Sequence, residues 1–213
     1  MAGKIGIIDY GMGNLRSVQK SVERLGVSCQ ILTRPEEVRV ADRLILPGVG
    51  AFEDAIAALK NGGLVEPLLE KIHAGTPFLG ICLGMQLLFE RSLENGEFRG
   101  LGLFQGDVVR FQFTEERRKN AGEKLSIPHM GWNQISLKQP EHPLWKGVTG
   151  ESFYYFVHSY HVVPKDVSII ATTTFYGYEF CSAVCSGNVM ATQFHPEKSQ
   201  EAGSKLLENF MRL

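Results

Sequence analysis

The chain has 213 residues, of which 44% are hydrophobic and 21% are charged, and its formal net charge is −1. This composition is typical of a globular protein with a real core, and the near-neutral charge gives no electrostatic reason to expect nucleic acid or an anionic membrane as a partner. No apolar run reaches the roughly 18 residues of a membrane-spanning helix. The first apolar run ends at Asp9, too early for a signal peptide, so we predict a cytoplasmic protein.

The first half of the chain alternates strand-like and helix-like segments. Asn14 precedes a helix pattern as a candidate cap, an apolar stripe follows, and Gly26 ends it. Strands are predicted at 4–9, 27–32, 43–47 and 77–81, and helices at 14–26, 51–63, 64–75 and 85–92. Such alternation predicts right-handed crossovers and a parallel sheet.

The second half is rich in strands and ends in a helix. Strands are predicted at 103–111, 153–163, 167–175, 180–187 and 188–196, with a hairpin at 186–188, and the helix at 199–213. The polar stretch 114–124 is predicted to be a surface loop. We therefore predict one α/β domain over residues 1–213, in three layers. Its central sheet is mainly parallel and flanked by helices, and its C-terminal half contains the antiparallel strands.

The four cysteines do not have the spacing of a metal or redox site. Cys29, Cys82, Cys181 and Cys185 form no C-x-x-C pair. If Cys181 and Cys185 share a strand, they are roughly 13 Å apart along it, which is too far for a disulfide. We predict reduced thiols, as in the cytoplasm, with no metal and no cofactor.

One cysteine lies in a pattern typical of a nucleophile. "GICLG" places Cys82 between Gly80 and Gly84, where a buried strand gives way to a predicted helix. Glycines permit the sharp turn, and a helix N-terminus beneath the sulfur would favour thiolate and present free N–H groups to an oxyanion. The alternative is a buried structural cysteine, which packs as a small hydrophobe.

A thiol nucleophile needs a base, and His195 is the best candidate among six histidines. It ends an apolar strand pattern and is followed by Pro196 and Glu197. If the chain there is extended, residues 195 and 197 point to the same side, so Glu197 can orient the imidazole. The alternative is a surface turn. Together with the cysteine turn, the motif predicts a Cys–His–Glu triad.

Three other motifs carry weaker signals. "PGVG" at 47–50 gives a flexible turn whose N–H groups can face a ligand, although a plain strand-to-helix turn explains it equally well. "DYGMGNLRS" fails as a dinucleotide fingerprint because Arg16 occupies the third glycine position. His158 and His161 are three apart on a predicted strand and would face opposite sides, so no metal pair is predicted.

At this point "PGVGAF", "GICLGMQLLF" and "QFHPEKS", in this order and spacing, resemble the class I (triad-type) glutamine amidotransferases. "IDYGMGNLRSV", "IPHMGWN" and "YYFVHSYHV" narrow the resemblance to the glutaminase subunits of imidazole glycerol phosphate synthase, which serve histidine biosynthesis. The resemblance spans essentially the whole chain. One departure is Ser92-Leu93-Glu94, where many relatives have Ser-Glu-Glu; the second acidic position is kept.

The resemblance implies an activity, a partner and a role for each matching position. Glutamine would be hydrolysed to glutamate and ammonia, and the ammonia would pass to a cyclase subunit, a TIM barrel, that forms imidazole glycerol phosphate and aminoimidazole carboxamide ribotide. The implied roles are catalysis by Cys82, His195 and Glu197; an oxyanion hole of Leu83 with Gly50 or Val49; glutamine binding by Gln86, Glu94, Ser159 and Tyr160; and cyclase contact by Asn14, Trp132, Tyr155 and Lys198.

Other functions stay open at this stage. An amidotransferase of another pathway, such as vitamin B6 synthesis, or another cysteine-dependent α/β hydrolase would share the nucleophile, and a binding module could share the fold. The flexibility of the 47–50 turn leads to one further hypothesis, that the oxyanion hole is completed only when the partner is bound.

Overall fold

The computed structural model describes residues 4–115, 117 and 125–213. The surface loop predicted at 114–124 lies mostly outside these residues. The elements of the first half are β1 (Ile5–Ile8), α1 (Leu15–Arg24), β2 (Cys29–Leu32), α2 (Pro35–Arg39), β3 (Arg43–Gly48), α3 (Phe52–Asn61), α4 (Val65–His73), β4 (Phe78–Cys82) and α5 (Leu83–Gln86). Strands β2, β1, β3 and β4 lie side by side in that order and are all parallel.

The second half extends the same sheet with mostly antiparallel strands. Its elements are β5 (Phe89–Ser92), β6 (Phe98–Arg99), β7 (Phe104–Arg110), β8 (His129–Gln134), β9 (Ser136–Leu137), β10 (Phe153–His158), β11 (Tyr160–Pro164), β12 (Ile170–Phe175), β13 (Glu179–Ser186), β14 (Val189–Thr192) and α6 (Gln200–Arg212). The sheet continues from β4 through β14, β13, β11, β7 and β5 to β6, with β12 beside β13 and β9 beside β12.

The predicted hairpin joins the two halves. β13 and β14 pair antiparallel, with Ser186 opposite Val189 across the two-residue turn. β14 then runs parallel to β4, with Val189 opposite Phe78. Because β3, β4 and β14 are parallel neighbours, their carboxyl ends meet at one edge of the sheet, where α/β proteins place their sites. The chain that leaves β14 is thereby brought next to Cys82.

Helices cover both faces of the parallel strands, which gives the three predicted layers. Along β3, Leu44 and Leu46 pack on one side with α3 and α4, while Ile45 packs on the other side with α1 and α6. Burial on both faces explains why these strands are continuous apolar runs without polar alternation. The predicted α/β fold with a helix-flanked sheet is confirmed.

The helix predicted at 85–92 is wrong for most of its length. After Cys82 the chain makes a single helical turn, α5, and enters β5 at Phe89. β5 pairs with β7, and Phe89 stands opposite Phe104. The apolar run 85–89 is buried whether it is a helix or a strand, so its periodicity could not distinguish them. Pairing with a distant strand overrides the local helix preference.

The single strand predicted at 153–163 is two strands in two sheets. β10 ends at His158 and forms a separate two-stranded sheet with β8, whereas β11 begins at Tyr160 and joins the main sheet. Ser159, between them, is where the chain changes sheets. This change of direction matters for the site, because it turns the 157–160 segment toward Cys82.

Two details at helix starts also differ from the predictions. Asn14 precedes α1, but its side chain makes no capping hydrogen bond; its carbonyl accepts from Ser17 and Val18 instead. Helix α2 was not predicted. Its start is marked by Pro35 and by Glu37, whose carboxylate accepts from the N–H of Arg34, as in other helix N-termini.

Three buried histidines, His129, His158 and His161, pack into an aromatic layer around Phe111. Their burial leads us to expect that the folded chain loses stability in acid. Burial lowers the pKa of both His129 and His161 to about 4, from a usual value of 6.5. The unfolded chain therefore takes up protons first as the pH falls below 6.5, and the stability present above that pH is lost down to about pH 4. We expect the free energy of unfolding, measured in urea, to fall by about 2 kcal/mol for each histidine between pH 7 and 5.

The control is His161→Phe, which should show a shallower loss over the same interval because one of the three buried protonation sites is gone. Equal free energies of unfolding at pH 7 and pH 5 in the parent chain would contradict the assignment of both rings as buried and neutral.

No helix in the described part of the chain is long and apolar enough to cross a membrane.

Candidate active site

Cys82 sits at the tip of a sharp turn between β4 and α5. Its backbone has φ 56° and ψ −109°, a left-handed conformation that costs a non-glycine residue on the order of 1–3 kcal/mol and is typical of functional positions. The predicted nucleophile turn is therefore present. Since α5 is only one turn long, its dipole is small. The helix therefore stabilises a thiolate at Cys82 much less than the sequence analysis predicted.

The two glycines around Cys82 are required by close backbone contacts. A Cβ added to Gly84 would lie 1.9 Å from the carbonyl oxygen of Leu46, and one added to Gly80 would lie 2.8 Å from the carbonyl oxygen of Gly84. Both distances are far inside van der Waals contact. The glycines thus let α5 press against β3 and β4, which holds Cys82 at the edge of the sheet.

His195 and Glu197 form a buried pair. Nδ1 of His195 donates to Oε1 of Glu197 at 2.8 Å, and the two side chains are 2% and 1% exposed. The segment is not extended as predicted, because Pro196–Lys198 is a 3-10 turn. The main chain of His195 is fixed by the carbonyl of Tyr155, which accepts its N–H, and by the Ser199 hydroxyl, which donates to its carbonyl.

Charge around His195 favours its protonated form. Burial lowers the pKa of His195, but the neighbouring Cys82 sulfur and the Glu197 carboxylate outweigh burial and raise the pKa to about 10. A thiolate beside an imidazolium is the pairing that activates a cysteine nucleophile. Nε2 of His195 and Oε2 of Glu197 are buried and have no hydrogen-bond partner among the described residues.

A cavity of about 410 Å³ opens over Cys82. Its wall contains every residue predicted for the oxyanion hole and for glutamine binding, and in addition Pro128, Val157 and His158. The residues that were predicted are Val49, Gly50, Leu83, Gln86, Glu94, Ser159 and Tyr160. They come from three separate stretches of the chain, so the fold brings together what the motifs only suggested. The cavity is large enough for an amino acid.

Two polar side chains of the wall are anchored from behind. Nε2 of Gln86 donates to the carbonyl of Tyr160 and to Oε1 of Gln193, each at 3.0 Å. Oε2 of Glu94 accepts from the N–H of Phe52, the first residue of α3, at 2.9 Å. Both groups are thereby held in place before any ligand arrives.

Three of the four predicted partner residues lie together, two of them on the outer face of the small sheet and the third on the turn beside it. Trp132 and Tyr155 are opposite each other on β8 and β10, with ring centroids 5.9 Å apart. Lys198 places Nζ 5.5 Å from the Tyr155 ring centroid. Asn14 is elsewhere, at the start of α1, and none of the described hydrogen bonds or ring contacts joins it to the other three.

Sequence reasoning missed Gln193 and Tyr10. Gln193 is buried and donates from Nε2 to Sγ of Cys82 at 3.6 Å; its place within "QFHPEKS" was a usable signal. The Tyr10 hydroxyl is buried without a hydrogen-bond partner among the described residues, and burial, followed by the nearby Cys82, raises its pKa. Nothing in the sequence placed Tyr10 beside the 47–50 turn.

Among the described residues, no group of three His, Cys, Asp or Glu side chains is arranged to hold a metal ion. The fold and the site have the features expected of a cysteine-dependent hydrolase of the α/β class: a strained turn at Cys82, a buried His–Glu pair and a pocket over the cysteine. The family "Glutamine amidotransferase class-I" matches residues 6–213. The chain belongs to the class-I glutamine amidotransferases.

Individual relatives agree over nearly the full length. The imidazole glycerol phosphate synthase subunit HisH of Syntrophotalea carbinolica is 54% identical over 204 residues, covering 96% of this chain and 97% of that protein. The protein of the same name from Geobacter sulfurreducens is 51% identical over 207 residues, covering 97% of each.

Solved structures share the fold at low identity. The PurLQS structure from Thermotoga maritima superposes with a TM-score of 0.76 at 19% identity, over 100% of this chain and 99% of that chain. A glutamine amidotransferase crystal structure gives a TM-score of 0.70 at 16% identity, over 98% and 99%.

Proposed function

We propose that this chain, as a single amidotransferase domain, hydrolyses L-glutamine and supplies the ammonia to the cyclase subunit of imidazole glycerol phosphate synthase. The observation that carries the proposal is the pocket over Cys82, walled by the residues that the motifs predicted. The relatives at 51–54% identity bear the name of that synthase's subunit HisH. Their agreement over nearly the whole chain supports the same pathway, histidine biosynthesis.

In the proposed chemistry His195 accepts the proton of Cys82, which makes the sulfur the nucleophile. The sulfur attacks the side-chain carbonyl carbon of glutamine, and the resulting oxyanion is stabilised by the N–H of Leu83 and of Gly50 or Val49. His195 gives its proton to the leaving nitrogen, and ammonia departs. A γ-glutamyl thioester on Cys82 remains.

The second half of the reaction uses the same groups in reverse order. Neutral His195 takes a proton from water, which attacks the thioester carbonyl, and the proton then returns to Cys82 as glutamate leaves. Glu197 accepts from Nδ1 of His195 throughout, which fixes the tautomer and stabilises each imidazolium.

The far end of the pocket suits the amino-acid end of glutamine. The carboxylate of Glu94 offers a negative charge for the substrate ammonium. Gln86 has both N–H bonds directed to Tyr160 and Gln193, which leaves its carbonyl oxygen to accept from the same ammonium. Ser159 and Tyr160 complete this wall.

The outer face of the β8–β10 sheet is the proposed cyclase-docking face. Met130, Trp132 and Phe153 expose 62%, 46% and 54% of their surface, an apolar grouping typical of interaction sites. The main-chain carbonyl of Tyr155, on this face, accepts the N–H of His195. Docking would therefore occur directly behind the triad. The proposed partner is a TIM barrel, and the proposed compartment is the cytoplasm.

The test is ammonia release from glutamine, with and without the cyclase subunit and its nucleotide substrate. We expect stimulation by the loaded partner, because free ammonia would otherwise be lost to water and because the 47–50 turn is proposed to complete the oxyanion hole on docking. Equal turnover in both conditions would contradict coupling to the cyclase. It would favour an amidotransferase of another kind.

Docking itself is tested by Trp132→Glu. Replacing the apolar ring by a charged carboxylate in the docking face should raise the Kd for the cyclase by about 30-fold or more, as measured by calorimetry. The matched control is Val167→Glu, at an exposed apolar residue outside this face, which should leave the Kd unchanged. The proposed face is wrong if both variants bind the cyclase like the parent chain.

A further inference from the structure

A line of hydrogen bonds, buried at its centre, runs from the small sheet to the pocket wall. Asn133 on β8 lies 3.3 Å, by its Nδ2, from Nε2 of His129. Nδ1 of His129 lies 3.1 Å from Nε2 of His158, and Nδ1 of His158 lies 2.8 Å from the carbonyl oxygen of Tyr160. None of the three polar side chains in this line has a role in the reaction described above.

The direction of every bond in this line is fixed from both ends. The carbonyl of Tyr160 can only accept, so Nδ1 of His158 carries a proton. At the other end, Oδ1 of Asn133 accepts from the N–H of Gln134, and Nδ2 donates to the carbonyl of Phe175. Nδ2 of Asn133 is therefore the donor to Nε2 of His129.

Only one arrangement of protons satisfies both ends. His129 accepts at Nε2 and donates from Nδ1, and His158 accepts at Nε2 and donates from Nδ1. Both rings are neutral and both hold their proton on Nδ1. A second proton on either ring would place two N–H bonds face to face. Burial, the largest cause, lowers the pKa of both rings, which agrees with this arrangement.

The line ends on an atom that also holds Gln86. The carbonyl oxygen of Tyr160 accepts from His158 on one side and from Nε2 of Gln86 on the other. A carbonyl oxygen has two lone pairs, and both are used. His158 therefore helps to hold that oxygen, and that oxygen in turn helps to hold the Gln86 amide.

We propose that His129 and His158 are positioning residues for glutamine binding. Both rings are neutral and both donate from Nδ1, so that together they hold the Tyr160 carbonyl in place. Through that carbonyl they orient the side-chain amide of Gln86, whose oxygen faces the substrate. The inference rests on the proposed function, since it concerns the same pocket. It adds two residues that none of the described hydrogen bonds joins to Cys82 or to His195.

The first test is spectroscopic and needs no activity. Long-range ¹H–¹⁵N correlation spectra of the full chain at pH 8 report which ring nitrogen of each histidine is protonated. We expect Nδ1–H for both His129 and His158, with assignments from single His→Gln variants. Nε2–H on either ring would overturn the proposal, because the line of hydrogen bonds could not then run in one direction.

The second test measures the Kd for L-glutamine by calorimetry in a Cys82→Ala background, where no turnover occurs. His158→Phe removes one of the two donors to the Tyr160 carbonyl and should raise the Kd about tenfold, because the oxygen, now bonded to Gln86 alone, no longer holds the Gln86 amide in its binding orientation. His158→Asn keeps an N–H at the position of Nδ1 and should restore most of the affinity. A purely structural role would not distinguish Phe from Asn in this way.

His161→Phe is the matched control. His161 is buried in the same aromatic layer, but Nδ1 and Nε2 bond to the Val162 carbonyl and the Tyr178 hydroxyl. Its loss should lower the melting temperature as His158→Phe does and leave the Kd unchanged. Equal Kd values for His158→Phe and His161→Phe would overturn the proposal. Absence of glutamine binding in Cys82→Ala alone would contradict the proposed function, while the ring spectra would still decide the histidine pair.

Discussion

Replacing Cys82 by alanine is expected to lower glutamine-dependent ammonia release by about 10⁴–10⁶-fold, to the background rate, as for loss of a nucleophile in other triads. The reason is that no other thiol reaches the pocket. Cys181 and Cys185 are buried on β13, and burial raises the pKa of Cys29 to about 11. The rate is measured by a coupled assay for glutamate at saturating cyclase.

Two controls separate lost chemistry from lost structure. Cys29→Ala should release ammonia at the parent rate. The Cys82→Ala complex should still make imidazole glycerol phosphate when ammonium salt replaces glutamine, since the cyclase remains intact. Substantial glutamine-dependent activity in Cys82→Ala would remove the nucleophile from the mechanism.

The second large effect is expected from Gly84→Ala, which should destabilise the fold by at least about 3 kcal/mol. The new Cβ would lie 1.9 Å from the carbonyl oxygen of Leu46. The Cβ is attached directly to the main chain of α5, and the oxygen belongs to the main chain of β3. The clash can therefore be relieved only if β3 and α5 move apart. The free energy of unfolding is measured in urea, and ammonia release should fall with it because the turn at Cys82 shifts.

Gly75→Ala is the comparison for this substitution. An added Cβ at Gly75 meets no atom within 4 Å, although φ is +87°, so only backbone strain of about 1–2 kcal/mol is expected. A cost for Gly84→Ala no greater than that for Gly75→Ala would show that the close approach of α5 to β3 has been misjudged.

The placement of the candidate triad was predicted better than the elements that carry it. "GICLG" and "HPE" predicted that Cys82, His195 and Glu197 lie together, and the fold does make them neighbours. Two of the structural assumptions behind this prediction were wrong. The helix after Cys82 is one turn long, and residues 196–198 form a 3-10 turn and not an extended segment. The pair forms all the same, since a short turn also brings residues 195 and 197 together.

What the sequence could not predict depends on pairing between distant segments. The stretch 85–92 looks helical in isolation and becomes a strand because β7 is available beside it. The stretch 153–163 looks like one strand and divides at Ser159 between two sheets. The His129–His158 pair could not be predicted for the same reason, because its two members lie far apart along the chain.

The most direct test of the account is covalent labelling by a chloroketone analogue of glutamine, in which a thiolate at the site displaces chloride. All four cysteines are free in the structure, so the chain contains its own controls. We predict one adduct per chain, located by mass spectrometry on the peptide that contains Cys82 and suppressed by excess L-glutamine. Modification of Cys29, Cys181 or Cys185 with Cys82 left unmodified, or labelling that glutamine does not suppress, would contradict the account.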